Sequence, residues 1–134
     1  MLNAKLKEKR SSKESPTENP VREKSFAFAL ETVRLCHQLQ DQKEFILSAQ
    51  LLKAGTSVGA NIEEAIAGQS KKDFTAKMAI ASKEARETRY WLRLLKESGT
   101  INTNLEPHLS QIDELIRILT AIVKTSQHSR CDRT

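Results

Sequence analysis

The chain has 134 residues, 38% of them hydrophobic, with 22 Lys and Arg against 17 Asp and Glu, for a net charge of +5. That length suits a single domain, and no apolar run approaches the roughly 20 residues that span a bilayer. The first nineteen residues lack the apolar stretch of an export signal, and two cysteines leave no disulfide framework, so a cytoplasmic protein is expected.

Residues 1–19, rich in Lys, Ser and Glu, bury too little apolar surface to offset the entropy of ordering, and a disordered basic tail is expected there. Asn19 is a good helix cap and Pro20 suits a first helical turn. The first helix is expected over Val21–Gln40, with Phe26, Leu30, Val33 and Cys36 on one apolar stripe and Phe28, Leu35 and Leu39 on a second. Cys36 reads as a small buried apolar residue. Asp41-Gln42-Lys43 is the turn.

A second helix is expected over Glu44–Ala67, with bulk from Phe45, Ile46, Leu51, Leu52, Val58, Ile62 and Ile66. Gly55 and Gly59 each cost about 1 kcal/mol against alanine in a helix interior. They stand four apart on one face, so a continuous helix is favoured, with a neighbouring backbone packed closely against them. Ser57, Asn61 and Glu64 read as buried or half-buried polar groups that must find partners.

Gly68 stops that helix, and Ser70-Lys-Lys-Asp73 resembles a capping box that starts the third. Its apolar positions fall in two zones: Phe74, Met78, Ala81, Ala85, Leu92 and Leu95, then Ala76, Ala79, Tyr90 and Leu94 on another side. Either this helix touches two neighbours within one chain, or part of it meets a second subunit. After Ser98-Gly99 and the loop Thr100–Asn104, the fourth helix carries a seam of Leu105, Leu109, Ile112, Ile116, Leu119 and Val123. Four helices with short connections give an all-α, antiparallel up-down-up-down four-helix bundle over residues 20–127, followed by a C-terminal tail, 128–134.

Chemistry is scarce. A di-metal bundle needs repeated Glu-x-x-His motifs, and none occurs. Glu63, Glu64, Glu84 and Glu87 lie among Lys83 and Arg86 and read as an ion-paired layer, so no cofactor and no metal site are expected. The glycines lack phosphate-loop spacing and nothing suggests a Ser-His-Asp set, so the chain is expected not to be an enzyme.

The remaining signal is charge. Residues 70–98 hold eight Lys and Arg against four Asp and Glu. Lys71, Arg86, Arg89, Arg93 and Lys96 fall within a sector of roughly 80° on the third helix. Such a stripe can neutralise phosphates without reading sequence. Alternatively it is a solvated face paired with Glu97 and with acids on adjacent helices. Tyr90 and Trp91 are of a type that stacks on bases, although Trp91 points away from the stripe and reads as packed.

The segments LLKAGTSVGANIEEA (Leu51–Ala65) and SKKDFTAKMAIASKEARETRYWLRLL (Ser70–Leu95) resemble the bacterial family of 23S rRNA intervening-sequence proteins, and the likeness spans about Lys24–Thr125. The resemblance implies an antiparallel four-helix bundle assembled as a homopentamer, with no catalytic residues to carry over. The family is similar in fold to the accessory variability determinant proteins of diversity-generating retroelements, basic pentamers that bind nucleic acid and a reverse transcriptase. Together with the excess apolar surface, it makes a homo-oligomer that contacts RNA or DNA the leading expectation. A protein–protein adaptor or scaffold with no nucleic-acid role is the alternative; no membrane contact is expected.

Overall fold

The computed structural model describes residues 19–131, with side chains through His128. Most of the expected N-terminal tail, and residues 132–134 of the C-terminal one, lie outside the described residues. Four helices follow in order: α1 (Pro20–Asp41), α2 (Ile46–Ala67), α3 (Lys71–Ser98) and α4 (Glu106–Cys131). The described residues contain no strand.

Each boundary has a local cause. Asn19 Oδ1 accepts from Val21 N at 3.2 Å with Pro20 at the first position of α1. α1 ends with Lys43 N bonded to Gln40 O at 2.9 Å and Glu44 N to Leu39 O at 2.8 Å, the paired bonds of a Schellman cap. The left-handed residue that this cap requires is Lys43, at φ 65°. Helix α2 begins two residues later than Glu44, because the Glu44 carboxylate is used as its cap, accepting from Leu47 N and Ser48 N at 2.6 and 3.0 Å. Ser70 Oγ accepts from Asp73 N at 3.0 Å to open α3, and Gly99 closes it at φ 68°. α4 continues to Cys131, four residues past the expected boundary at 127.

The helices pack in a ring, each against its two chain neighbours and α4 back against α1, with α2–α3 the most extensive seam and α1–α4 the least. Cross-helix pairs fix the antiparallel sense: Arg22 with Glu63, Lys77 with Glu64, Lys96 with Glu106. Phe28, Leu35, Leu39, Leu51, Ile62, Met78, Leu92, Leu95, Ile112, Leu115 and Leu119 fill the core. Gly55 and Gly59 are buried inside a continuous α2, as their spacing suggested. A Cβ on Gly55 would stand 2.8 Å from Thr32 Cγ2, and one on Gly59 would stand 3.5 Å from the Ser25 carbonyl oxygen, so both face α1 at close range. Cys36 is buried, donates to Ser48 O at 3.4 Å, and burial raises its pKa to about 11.

The stripes divide unequally between core and surface. On α1, Cys36 is buried, whereas Phe26, Leu30 and Val33 are 64%, 42% and 38% exposed. On α3, Tyr90 and Leu94 of the second zone are 57% and 37% exposed, and Ile80, which neither zone included, is 41% exposed. Phe45, Ile46 and Ile66, expected to supply bulk to the second helix, are exposed as well. The periodicity marked these positions as apolar, but the bundle has only one interior, and the opposite flank of each helix fills it.

Candidate nucleic-acid interface

Four of the five candidate cations lie along the outer edge of the α3–α4 seam. Arg89 Nε meets Asp113 Oδ1 at 3.1 Å, and Lys96 Nζ meets Glu106 Oε1 at 2.7 Å. The partners are seven residues apart on each helix in opposite chain order, the register of antiparallel rods. Arg86 Nη2 donates to the Thr120 hydroxyl at 3.1 Å, and Arg93 Nη2 reaches Glu97 Oε2 on its own helix at 3.5 Å. The hydrogen bond that Lys96 donates to Glu106, and the charge of that carboxylate, push the Lys96 pKa up. Arg89, Arg93 and Lys96 rim, with Leu109 and their acidic partners, a shallow cleft of about 230 Å³.

Lys71 stands apart. It lies fifteen residues before Arg86, about 22 Å along the helix axis, beside Phe74 and Ile122 at the opposite end of the bundle. The stripe is therefore a patch of four cations plus a distant fifth.

Those four cations face three carboxylates, Asp113, Glu97 and Glu106, all solvated. The paired arrangement is the one that acids on adjacent helices were expected to supply. Exposed ion pairs are held weakly and screened by salt, so a phosphate can displace the carboxylates; Arg86, bonded to a neutral hydroxyl, needs no displacement. The role of Glu106 and Asp113 escaped the sequence reading, although their seven-residue spacing, matching Arg89 and Lys96, was a usable signal. Trp91 is half-buried and its Nε1 donates to Glu87 Oε1 at 3.3 Å, while Tyr90 lies exposed and edge-on to it at 5.4 Å.

The acidic cluster expected between α2 and α3 separates in the fold. Glu63 is bidentate to Arg22, Glu64 is exposed and pairs with Lys77, and Glu87 serves Trp91. Asn61 Nδ2 donates to Ser57 O at 2.9 Å, a local bond within α2. Among the described residues no group of three His, Cys, Asp or Glu could hold a metal ion, and no helix is long and apolar enough to cross a membrane.

The sequence profile of a family described as 23S rRNA-intervening sequence protein matches residues 17–121. The crystal structure of a protein of unknown function from the S23 ribosomal protein family of Bacteroides thetaiotaomicron is similar, with 44% identity and a TM-score of 0.74 over 78% of this chain and 98% of that one. No curated protein matches the chain. The matched range takes in the glycine pair of α2 and the charged seam, and ends within α4. The chain belongs to the 23S rRNA-intervening sequence protein family.

Proposed function

We propose that this chain is a non-catalytic assembly protein whose copies join in a closed ring, five in number as the family resemblance implies. The observation that carries the reading is the pair of exposed apolar stripes, Phe26-Leu30-Val33 on α1 and Ile80-Tyr90-Leu94 on α3. Exposed apolar patches on this scale usually mark interfaces. By helical geometry the α1 stripe lies on the outer flank nearer α2, and Ile80 and Leu94 of α3 also lean toward α2, so the two stripes flank one helix and differ in residue type. Two unlike patches on one chain favour head-to-tail contact, which closes into a ring when the rotation allows. Light scattering of the purified full chain is expected to give a defined multimer, and a monomer at tens of micromolar would refute the assembly.

The α3–α4 seam supports a second element of this reading, contact with RNA or DNA phosphates. Cations outnumber carboxylates on it, and ring closure through α1 and α3 leaves it clear of the interface and repeats it on every copy. Binding is expected to be indifferent to sequence and to weaken steeply with salt. Arg89→Glu combined with Arg93→Glu is expected to weaken it further, whereas unchanged binding by that variant would reject the seam. A stable multimer that takes up no mixed-sequence RNA or DNA at low salt would leave the adaptor or scaffold reading in its place.

A further inference from the structure

At the end of the bundle where the chain enters, α4 outlasts α1. Lys24 pairs with Glu114 at 3.2 Å, and four residues before Lys24 the helix has reached its start at Pro20. Beyond Glu114, α4 continues through Ala121, Ile122, Thr125 and Ser126. At the helical rise, Thr125 lies about 16 Å past Glu114, whereas Pro20 lies about 6 Å past Lys24.

Ile118, Ile122 and Thr125 follow Glu114 at spacings of four, eight and eleven, so they prolong the strip of α4 that faces α1. No described helix lies on that prolongation. It forms, with Lys71 and Phe74 of α3, an open cleft of about 420 Å³ whose other lining residues are Ala121 and Ser126. Ser126 is buried and its hydroxyl is bonded to Thr75, so the cleft offers mainly hydrocarbon.

By the same rise Pro20 stops about 6 Å short of Ile122 along the bundle axis, and residues 1–18 precede Asn19 at this end of the bundle. Their apolar side chains are few: Met1, Leu2, Ala4 and Leu6, with prolines at 16 and 20 bracketing the join to α1. Leu2 and Leu6 are four apart, the spacing that shares one face of a helical turn. Thirteen chain steps separate Leu6 from Asn19, a reach of up to about 45 Å when extended, and the cleft begins within about 10 Å of the tether point along the axis. The family profile begins at residue 17 and ends at 121, so the outer wall of the cleft and the segment before Pro16 both fall outside the matched core.

We propose that this cleft seats the chain's own N-terminal segment, with Leu2 and Leu6 as the anchoring side chains. The tether supplies the bias toward this occupant, because a linked segment is presented at a high effective concentration that a free partner lacks. The seat shields hydrocarbon that α1 leaves uncovered.

The test uses the full-length protein with a nitroxide on Thr125→Cys, in a Cys131→Ser background, and isotope-labelled leucine methyl groups. Signals of Leu2 and Leu6 are expected to be lost to paramagnetic broadening and to return when the nitroxide is reduced. Ala121→Arg, at the exposed rim of the cleft, is expected to restore them without reduction. Undiminished Leu2 and Leu6 signals would overturn the proposal. So would an equal loss when nitroxide and isotope sit on different copies, which assigns the segment to a neighbouring chain.

Discussion

Gly55 and Gly59 stand one turn apart on α2, yet α1 meets them differently, and the difference predicts opposite responses to alanine. A Cβ at 55 would meet Thr32 Cγ2 at 2.8 Å, and Thr32 is buried with its hydroxyl donated to Phe28 O at 2.8 Å, so it has little freedom to yield. Gly55→Ala is expected to destabilise the bundle by about 1–3 kcal/mol through overpacking, and Thr32→Ser, which removes the offending methyl, should recover part of the loss. At 59 the nearest atoms are at 3.5 Å, ordinary contact. Gly59→Ala is therefore expected to be neutral or to stabilise by up to about 1 kcal/mol, the helix-propensity gain. Urea melts of the two variants and the Thr32→Ser double variant decide the matter; equal effects at both glycines would contradict it.

His108 supplies a pH-dependent term at the same scale. Its Nδ1 is buried without a partner, burial lowers its pKa below 6.5, and the opposing influence of Glu31 is smaller. The unfolded chain therefore takes up this proton at a higher pH than the folded one. Stability from this group is complete above about 6.5 and falls as pH drops through the window below that value. His108→Phe is expected to melt with a shallower loss between neutral and mildly acid pH than the parent. Parallel profiles would show that the histidine contributes nothing to acid sensitivity.

At the level of elements, most of the bundle was legible because each helix carries its own signals. Asn19-Pro20, Gly68, Ser70 and Gly99 marked termini that the structure places within a residue or two. The close of α1 was harder to read. Its Schellman cap normally takes glycine, and here Lys43 occupies the left-handed position. A non-glycine residue there costs on the order of 1 kcal/mol, so Lys43→Gly is expected to raise the thermal midpoint and Lys43→Val to lower it. Two equal shifts would show the turn to be unstrained.

Periodicity names apolar positions without saying which of two stripes turns inward, and Phe26, Leu30 and Val33 show the consequence. The cations of α3 were legible as a stripe. Their neutralising partners were not, because Arg89–Asp113 and Lys96–Glu106 depend on the register between two helices that no single helix encodes.

For the whole molecule, the uneven surface is the governing feature: apolar stripes flank α2, and the charged seam lies between α3 and α4. Head-to-tail closure makes a prediction that a symmetric dimer does not. Phe26→Lys with Leu30→Lys spoils one side of the contact, and Ile80→Lys with Leu94→Lys spoils the other. Each double variant alone is expected to sediment as a monomer with native helicity. Mixed in equal amounts, they retain one intact α1 stripe and one intact α3 stripe between them, and a one-to-one heterodimer is expected by sedimentation. A mixture that stays monomeric would mean that the two stripes do not meet each other.

The thiol of Cys36 is sealed between α1 and α2, hydrogen-bonded to a carbonyl of α2, and held protonated to about pH 11. In a Cys131→Ser background it is the sole thiol of the chain and cannot react until those two rods part. Its rate of alkylation thus becomes a stopwatch for that parting, and would report directly whether the proposed ring clamps the hairpin shut.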